Sequence, residues 1–263
     1  MEYVFYLLAG SLAGLISGLF GLGGGAVIVP LLIFAFTARG IAPEIATHLA
    51  IGTSLATIVF TALSSIYTHH QKQAIRWHLV KIIAPGLLIG ALLGGIFAIS
   101  LTGTTLQLLF GLFLILVALQ LLIYSPKVGA RTLPHPVGVS ASGGIIGAVS
   151  ALFGIGGGTL TVPMLTFFGI KIHQAVGTAA ACGLPIALAS TYIYASADHA
   201  QLPAASIGYI LVPAWVGIVI ASLPCARLGA LLAHRINGQK LKTYFAWITM
   251  ALGIRFIWVN LSL

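Results

Sequence analysis

The chain has 263 residues, of which 59% are hydrophobic and only 6% are charged, whereas soluble domains carry about 25% charged residues. A water-exposed globule of this composition would aggregate, so we predict a membrane protein. Twelve Lys and Arg against three acids give a net charge of +9, and these cations lie scattered between apolar runs, which excludes a nucleic-acid binder. The two cysteines, Cys182 and Cys225, lie in apolar stretches and form neither a disulfide framework nor a cysteine zinc site.

The apolar runs predict membrane-spanning helices, because about 20 residues at about 1.5 Å per residue cross a hydrocarbon core about 30 Å thick. The predicted spans are 3–20, 45–67, 79–100, 104–124, 137–153, 174–197, 206–226 and 241–260. Two shorter runs, near 26–38 and 158–171, each follow a glycine cluster and predict half-helices or barely spanning helices. The expected fold is therefore an all-α polytopic integral membrane protein with about 8–10 membrane segments.

The sequence contains two copies of one unit. Residues 17–32 read SGLFGLGGGAVIVPLL and residues 150–165 read SALFGIGGGTLTVPML, with ten of sixteen positions identical. Farther along, HLAIGTS at 48–54 is repeated as HQAVGTA at 173–179. We therefore predict two homologous transmembrane repeats joined by a basic cytoplasmic linker. Their bounds are 1–124 for the first repeat, 125–136 for the linker and 137–263 for the second repeat.

The basic residues predict that the two repeats are inverted. The loops near 68–81, 125–136 and 227–242 carry Lys and Arg, whereas the loop at 196–205 carries neither. Under the positive-inside rule, the first three loops lie in the cytoplasm. Five crossings per repeat then place both termini outside and give an inverted repeat. This number depends on whether the two short runs span the bilayer or re-enter it.

The duplicated glycine clusters, FGLGGGA at 20–26 and FGIGGGT at 153–159, form the candidate substrate site. Glycine gives the backbone conformational freedom and exposes N–H groups. A helix that begins after such a break carries partial positive charge at its N-terminus and binds anions without a lysine. Helix packing explains isolated glycines, but a duplicated cluster in register with a proline favours a functional break. The predicted substrate-binding residues here are Phe20, Gly21, Gly23, Gly24, Gly25, Phe153, Gly154, Gly156, Gly157, Gly158 and Thr159.

Hydroxyl and imidazole groups inside the apolar helices are further candidates. Thr53, Ser54 and Thr178 either bond back to the preceding helical turn or donate to a substrate oxygen, and both interpretations stay open. His48 and His173 share one position of the second duplicated motif, where they either cap helix starts or couple proton movement to transport. All carboxylates fall in predicted loops or at a terminus, so a relay of buried acids is not predicted.

Other chemistry finds little support in the sequence. The phosphate-loop pattern GxxxxGK[ST] does not occur, so ATP-driven transport is not predicted. The stretch at 138–142 departs from GxSxG, and the His pair at 69–70 lacks the acid and the spacing of HExxH. We therefore predict neither an enzyme nor a cofactor or metal site.

These motifs resemble the sulfite exporter TauE/SafE family, also called the toluene sulfonate uptake permeases. The likeness is carried by FGxGGGxxxxP at 20–30, by IGTS at 51–54, and by the second copies at 153–163 and 176–178, and it covers essentially the whole chain. The second copy departs at 179–180, where two alanines replace the hydroxyl-bearing pattern. The resemblance implies a multi-pass plasma-membrane permease for anions such as sulfite, thiosulfate or organosulfonates.

The resulting hypothesis is a secondary transporter of the bacterial inner membrane that carries a small sulfur-containing anion by alternating access at a central site between the repeats. Its expected partners are the anion, the lipid bilayer and a coupling proton or sodium ion, without nucleic acid, and a homodimer is left open. One alternative is a permease for a cation or neutral solute, held by the carbonyls that such breaks also expose. Another is a non-transporting membrane factor that assembles or senses a partner.

Overall fold

The computed structural model describes residues 2–20, 24–123, 135–199, 201–233 and 238–261, and these residues form ten helices and one short β-hairpin. In chain order the elements are α1 Glu2–Phe20, α2 Gly25–Ala38, α3 Pro43–Gln71, α4 Trp77–Ser100, α5 Gly103–Ile123, α6 Pro136–Phe153, α7 Gly158–Phe167, α8 Ile172–Ser196, β1 Ser206–Ile207, β2 Ile210–Leu211, α9 Val212–Ala233 and α10 Gly238–Leu261. The predicted all-α polytopic fold is confirmed. Most of the predicted linker lies outside the described residues.

Six of the described helices are long and apolar enough to cross a membrane. They are Pro43–Gln71, Trp77–Ser100, Gly103–Ile123, Pro136–Phe153, Ile172–Ser196 and Val212–Gly229. The helices that follow the glycine clusters are shorter, with 14 residues in α2 and 10 in α7. At the helical rise α7 is about 15 Å long, about half the thickness of the hydrocarbon core. It is therefore a half-helix.

The predicted span at 206–226 is wrong over its first six residues. These residues form the hairpin β1–β2, in which Ser206 pairs with Leu211 and Gly208 takes a left-handed φ of 51° at the turn. Helix α9 begins directly after the hairpin, with Pro213 in its first turn. Proline suits this position because the first-turn N–H groups have no partner within the helix.

The helices of the two halves interleave. Helix α1 packs along α9, and α6 packs along α4, so each half lends its first helix to the other. A Cβ on Gly86 would overlap the carbonyl oxygen of Ser140, and a Cβ on Gly94 would overlap that of Ala148. From the first of these contacts to the second, the residue numbers rise along both helices, so α4 and α6 run parallel. The absence of side chains at these glycines lets the two backbones touch.

The homologous helices α3 and α8 run antiparallel beside each other. Ala74, just after the end of α3, contacts Gly177 near the start of α8. Tyr209, which follows α8 in the chain, contacts Gly52 near the start of α3. Helices α5 and α10 are related in the same way. An inverted repeat requires such antiparallel homologous helices, and the orientation of the halves in a bilayer stays a prediction.

The outer faces of the helices are apolar. On α4, for example, Ile89, Leu93 and Ile96 are more than half exposed, and their spacing of three and four residues places them on one face. The interior is filled by side chains such as Leu55 and Phe110, which are fully buried. A surface of this kind is suited to contact with lipid chains.

Candidate functional site

Parts of the two glycine breaks lie against each other in the buried interior of the molecule. Gly24, with a left-handed φ of 73°, precedes α2, and Gly154, with a φ of 65°, ends α6. A Cβ on Gly25 would overlap the carbonyl oxygen of Gly154 and would come within 2.8 Å of the Cα of Ile155. The structure therefore places parts of both predicted breaks in direct contact. The rest of the first break lies outside the description, namely the residues Gly21 and Gly23 and the side chain of Phe20.

The second break is held by polar and aromatic contacts. The hydroxyl of Ser54, on α3, donates a hydrogen bond of 2.7 Å to the carbonyl oxygen of Gly154. The ring of Phe153 stacks on Phe113, with 4.7 Å between the ring centroids, and also contacts Phe110. Ser54 and Phe153 thus fix the break to α3 and α5. Their predicted contact with substrate stays a prediction.

A cavity of about 50 Å³ lies beside the second break. Its lining comprises Ser17, Ile58, Thr61, Ala62, Ser65, Gly156, Gly157, Gly158, Ala179, Ala180 and Gly183. Since a single water needs roughly 10–15 Å³ on this measure, the volume suits a few water-sized groups or one small oxyanion. Both halves contribute to the lining, and none of these residues carries a charged side chain.

Three of the four lining glycines, Gly156, Gly157 and Gly158, lie at the N-terminus of α7, and the fourth, Gly183, lies on α8. Gly157 precedes the helix and Gly158 is its first residue. The first N–H groups of a helix have no partner within it, and they carry partial positive charge. Thr159 is buried in the same first turn. A Cβ on Gly157 would come within 2.9 Å of the Cδ1 of Ile186, so a larger residue there would have to displace its neighbours.

The lining also includes hydroxyls that the sequence analysis missed. Thr61 and Ser65 are four residues apart on α3 and therefore share one face of the helix. Ser17 is the first residue of the duplicated glycine motif. Both signals were present in the sequence: a pair of hydroxyls at helical spacing, and a serine at the start of a repeat.

The predicted hydroxyls Thr53 and Thr178 lie elsewhere. Each is fully buried and accepts a hydrogen bond of 3.0 Å from a backbone N–H, that of Leu211 for Thr53 and that of Arg76 for Thr178. Neither is part of the described lining of the cavity. A direct contact between these hydroxyls and substrate stays a prediction.

The two equivalent histidines have different surroundings. His48 is 4% exposed, with its Nδ1 2.8 Å from the carbonyl oxygen of Glu44 and its Nε2 3.1 Å from that of Ala98. A neutral imidazole has one N–H and satisfies one of these acceptors, whereas only the doubly protonated ring donates to both. Tyr209 lies beside this ring, at 5.0 Å between centroids, and burial raises the pKa of its hydroxyl. His173, by contrast, is exposed in the first turn of α8.

Comparison with known protein families gives a match over most of the chain. Residues 6–256 match the family model described as sulfite exporter TauE/SafE. The chain belongs to the sulfite exporter TauE/SafE family. The family and the membrane-spanning helices identify a multi-pass membrane transporter, and the glycine breaks and the cavity are therefore features of a member of this family. No solved structure matches the chain.

Curated relatives carry the same description. A probable membrane transporter protein of Haemophilus influenzae is 35% identical over 251 residues, which cover 94% of this chain and 95% of that protein. The probable membrane transporter protein YunE of Bacillus subtilis is 34% identical over 68% of this chain and 72% of its own length. A probable membrane transporter protein of Methanocaldococcus jannaschii is 26% identical over 97% of both chains. These names describe transporters and no substrate.

Proposed function

We propose that this family member is a secondary transporter that carries a small sulfur oxyanion, such as sulfite, through the cavity beside the second glycine break. The observation that carries the proposal is the composition of that cavity. It combines the N-terminus of α7 with the hydroxyls of Ser17, Thr61 and Ser65, and it contains no charged side chain. The amides of α7 and the hydroxyls of Ser17 and Ser65 are hydrogen-bond donors gathered between the two halves. The Thr61 hydroxyl donates to the carbonyl oxygen of Ile58 at 3.3 Å.

The chemistry of this lining favours an anion over a cation. The first-turn amides of α7 supply partial positive charge and N–H donors, and hydroxyls supply further donors to oxygen. A cation would be better served by a carboxylate, and none lines the cavity. An oxyanion of sulfur suits these donors because each of its oxygens accepts several hydrogen bonds. The alternative substrate is a neutral solute, and competition between solutes during uptake distinguishes it from an anion.

The route and the energy source belong to the same proposal. The cavity lies where the halves meet, so rocking of one half against the other would open it to each side of the inner membrane in turn. Driving energy would come from an ion gradient or from the gradient of the anion itself. His48 is the buried titratable group best placed to couple a proton, because its ring contacts two carbonyl acceptors and a neutral ring satisfies only one.

The test is uptake of radiolabelled sulfite into proteoliposomes that contain the full chain. Replacing Ser65 by Val removes a hydroxyl from the cavity and keeps the helix, and we expect uptake to fall about tenfold, since a hydrogen bond to a charged group is lost. Ser64→Val is the matched control, because Ser64 is the neighbouring serine on α3 and is not part of the described lining. Equal uptake by the two variants would refute the site.

The same vesicles separate the alternatives. Unlabelled thiosulfate and small organosulfonates should compete with sulfite, and sodium, potassium or neutral sugars at equal concentration should not. A protein that only assembles or senses a partner would give vesicles with no flux above protein-free controls. A cation carrier would show flux of the labelled cation that sulfite leaves unchanged.

A further inference from the structure

The two Gly-Thr motifs make the same contact with opposite halves of the chain. At the first motif, Gly52 leaves room for the carbonyl oxygen of Tyr209, and the hydroxyl oxygen of Thr53 accepts from the N–H of Leu211 at 3.0 Å. The motif of one half therefore binds the backbone of the segment between the third and fourth helices of the other half.

The second motif repeats this arrangement atom for atom. Gly177 leaves room for the carbonyl oxygen of Ala74, 2.6 Å from where a Cβ would stand, and Thr178 accepts from the N–H of Arg76 at 3.0 Å. In both places the carbonyl and the amide lie two residues apart. Glycine provides the close approach and threonine provides the acceptor, which explains why both copies of the second duplicated motif carry a Gly-Thr pair at the same position.

The two bound segments have little else in common. The segment bound by the second motif, 72–76, is a five-residue turn that carries Lys72 and Arg76. The segment bound by the first motif, 197–211, is longer and contains a β-hairpin and no lysine or arginine. A contact formed by such different segments is not a by-product of their own conformations. It is a property of the duplicated motif.

The two contacts lie at opposite ends of the α3–α8 pair. Thr53 and Ala74 are about 21 residues apart along α3 and the turn that follows it, which is about 30 Å and close to the thickness of a hydrocarbon core. The cavity contacts α3 at residues 58–65, between these two points. One contact therefore lies on each side of the cavity along this helix.

We infer that Thr53 and Thr178 are positioning residues of two backbone latches, each of which closes the cavity toward one side of the membrane. The inference rests on the proposed transport function and adds a device to it. Both hydrogen bonds are formed in the structure, so both inter-helix segments are held. Breaking one hydrogen bond frees one inter-helix segment and leaves the other held, which is what alternating access requires.

Hydrogen–deuterium exchange of the full chain in lipid nanodiscs tests the latches without substrate. Thr53→Val should speed exchange of the Leu211 amide about fivefold and leave the Arg76 amide unchanged, and Thr178→Val should do the reverse. Thr166→Val is the matched control, because the Thr166 hydroxyl is also buried but donates to carbonyl oxygens of its own helix, α7. Thr→Ser at either latch keeps the acceptor and should restore slow exchange. Unchanged exchange in both valine variants would overturn the inference.

Labelling of the cavity tests the sidedness. Ala180 lines the cavity, so Ala180→Cys, made after Cys182→Ala and Cys225→Ala, provides a reporter for a membrane-impermeant maleimide. Thr53→Val and Thr178→Val should each raise labelling about fivefold, from opposite faces of oriented proteoliposomes. Labelling from the same face, or no increase, would contradict the latches. If exchange and labelling behave as expected while the wild-type protein carries no sulfite, the latches stand and the proposed substrate is wrong.

Discussion

Equivalent glycines of the two glycine breaks have different surroundings. In the first copy, Gly25 is pressed against the backbone of Gly154, with no room for a side chain. In the second copy, Gly158, which is the residue equivalent to Gly25, borders a cavity. The duplicated sequence thus gives glycine at both places, and the neighbouring elements decide whether the missing side chain allows close packing or leaves space.

The largest expected effect is at Gly25, the packed glycine of the equivalent pair. Gly25→Ala places a Cβ on the carbonyl oxygen of Gly154, and since backbone cannot move aside without separating the breaks, we expect a loss of about 3 kcal/mol of stability. The measurement is the fraction of monodisperse protein left in detergent after a heating series. Gly183→Ala is the control, because its Cβ would lie 3.6 Å from the nearest atom, an ordinary contact. Equal melting temperatures of the two variants would show that Gly25 is packed no more tightly than Gly183.

The two histidines, at equivalent positions of the motif at 48–54 and 173–179, also differ in their surroundings. His48→Leu removes the ring nitrogens that contact two carbonyl oxygens, and we expect the stability to fall by about 2 kcal/mol, measured in the same heating series. His173→Leu replaces an exposed side chain and should stay within about 0.5 kcal/mol of the wild type. An equal loss in both variants would show that the buried ring contributes no more than the exposed one.

A smaller effect is expected from the hydrogen bond that joins the first motif to the second break. Ser54→Ala removes the donor to the carbonyl oxygen of Gly154, and this should cost about 1 kcal/mol. Thr57→Val is a suitable reference because its hydrogen bond stays within one helix and joins no two elements. The difference between the two melting temperatures measures the contribution of the Ser54–Gly154 hydrogen bond. A lower melting temperature for the reference variant than for Ser54→Ala would contradict this contribution.

The smallest effect is expected where the copies differ in sequence. Ala179 lines the cavity at the position equivalent to Ser54, so Ala179→Ser adds a hydroxyl to the lining. We expect the KM for sulfite to change by less than about fivefold, with little change in melting temperature, because the substitution adds one small donor. Ala187→Ser, a buried position of the same helix outside the described lining, is the control for a hydroxyl alone. If the control changes the KM by the same amount, Ala179 is not part of the substrate site.

The site was only partly predictable from the sequence. The glycine breaks, read as a duplicated motif, led to Gly156, Gly157 and Gly158, which line the cavity. The hydroxyls of Thr61 and Ser65 were missed because serine and threonine occur on many apolar helices, where they usually bond to the preceding turn, as Thr61 does to the carbonyl oxygen of Ile58. Only the packing of α3 against the second break selects these two from the others.

The sequence by itself determined the membrane class, the all-α fold, the duplication and the family, because composition, apolar run length and repeated motifs are properties of the chain read in order. Only the tertiary structure decided which of the equivalent glycines Gly25 and Gly158 is packed, which histidine is buried, and that the Thr residues of the Gly-Thr pairs hold the opposite half. The physical reason is that each of these depends on atoms at least 50 residues away in the chain. A short motif specifies what a backbone can accept, and the partner that fills it is chosen when the helices pack.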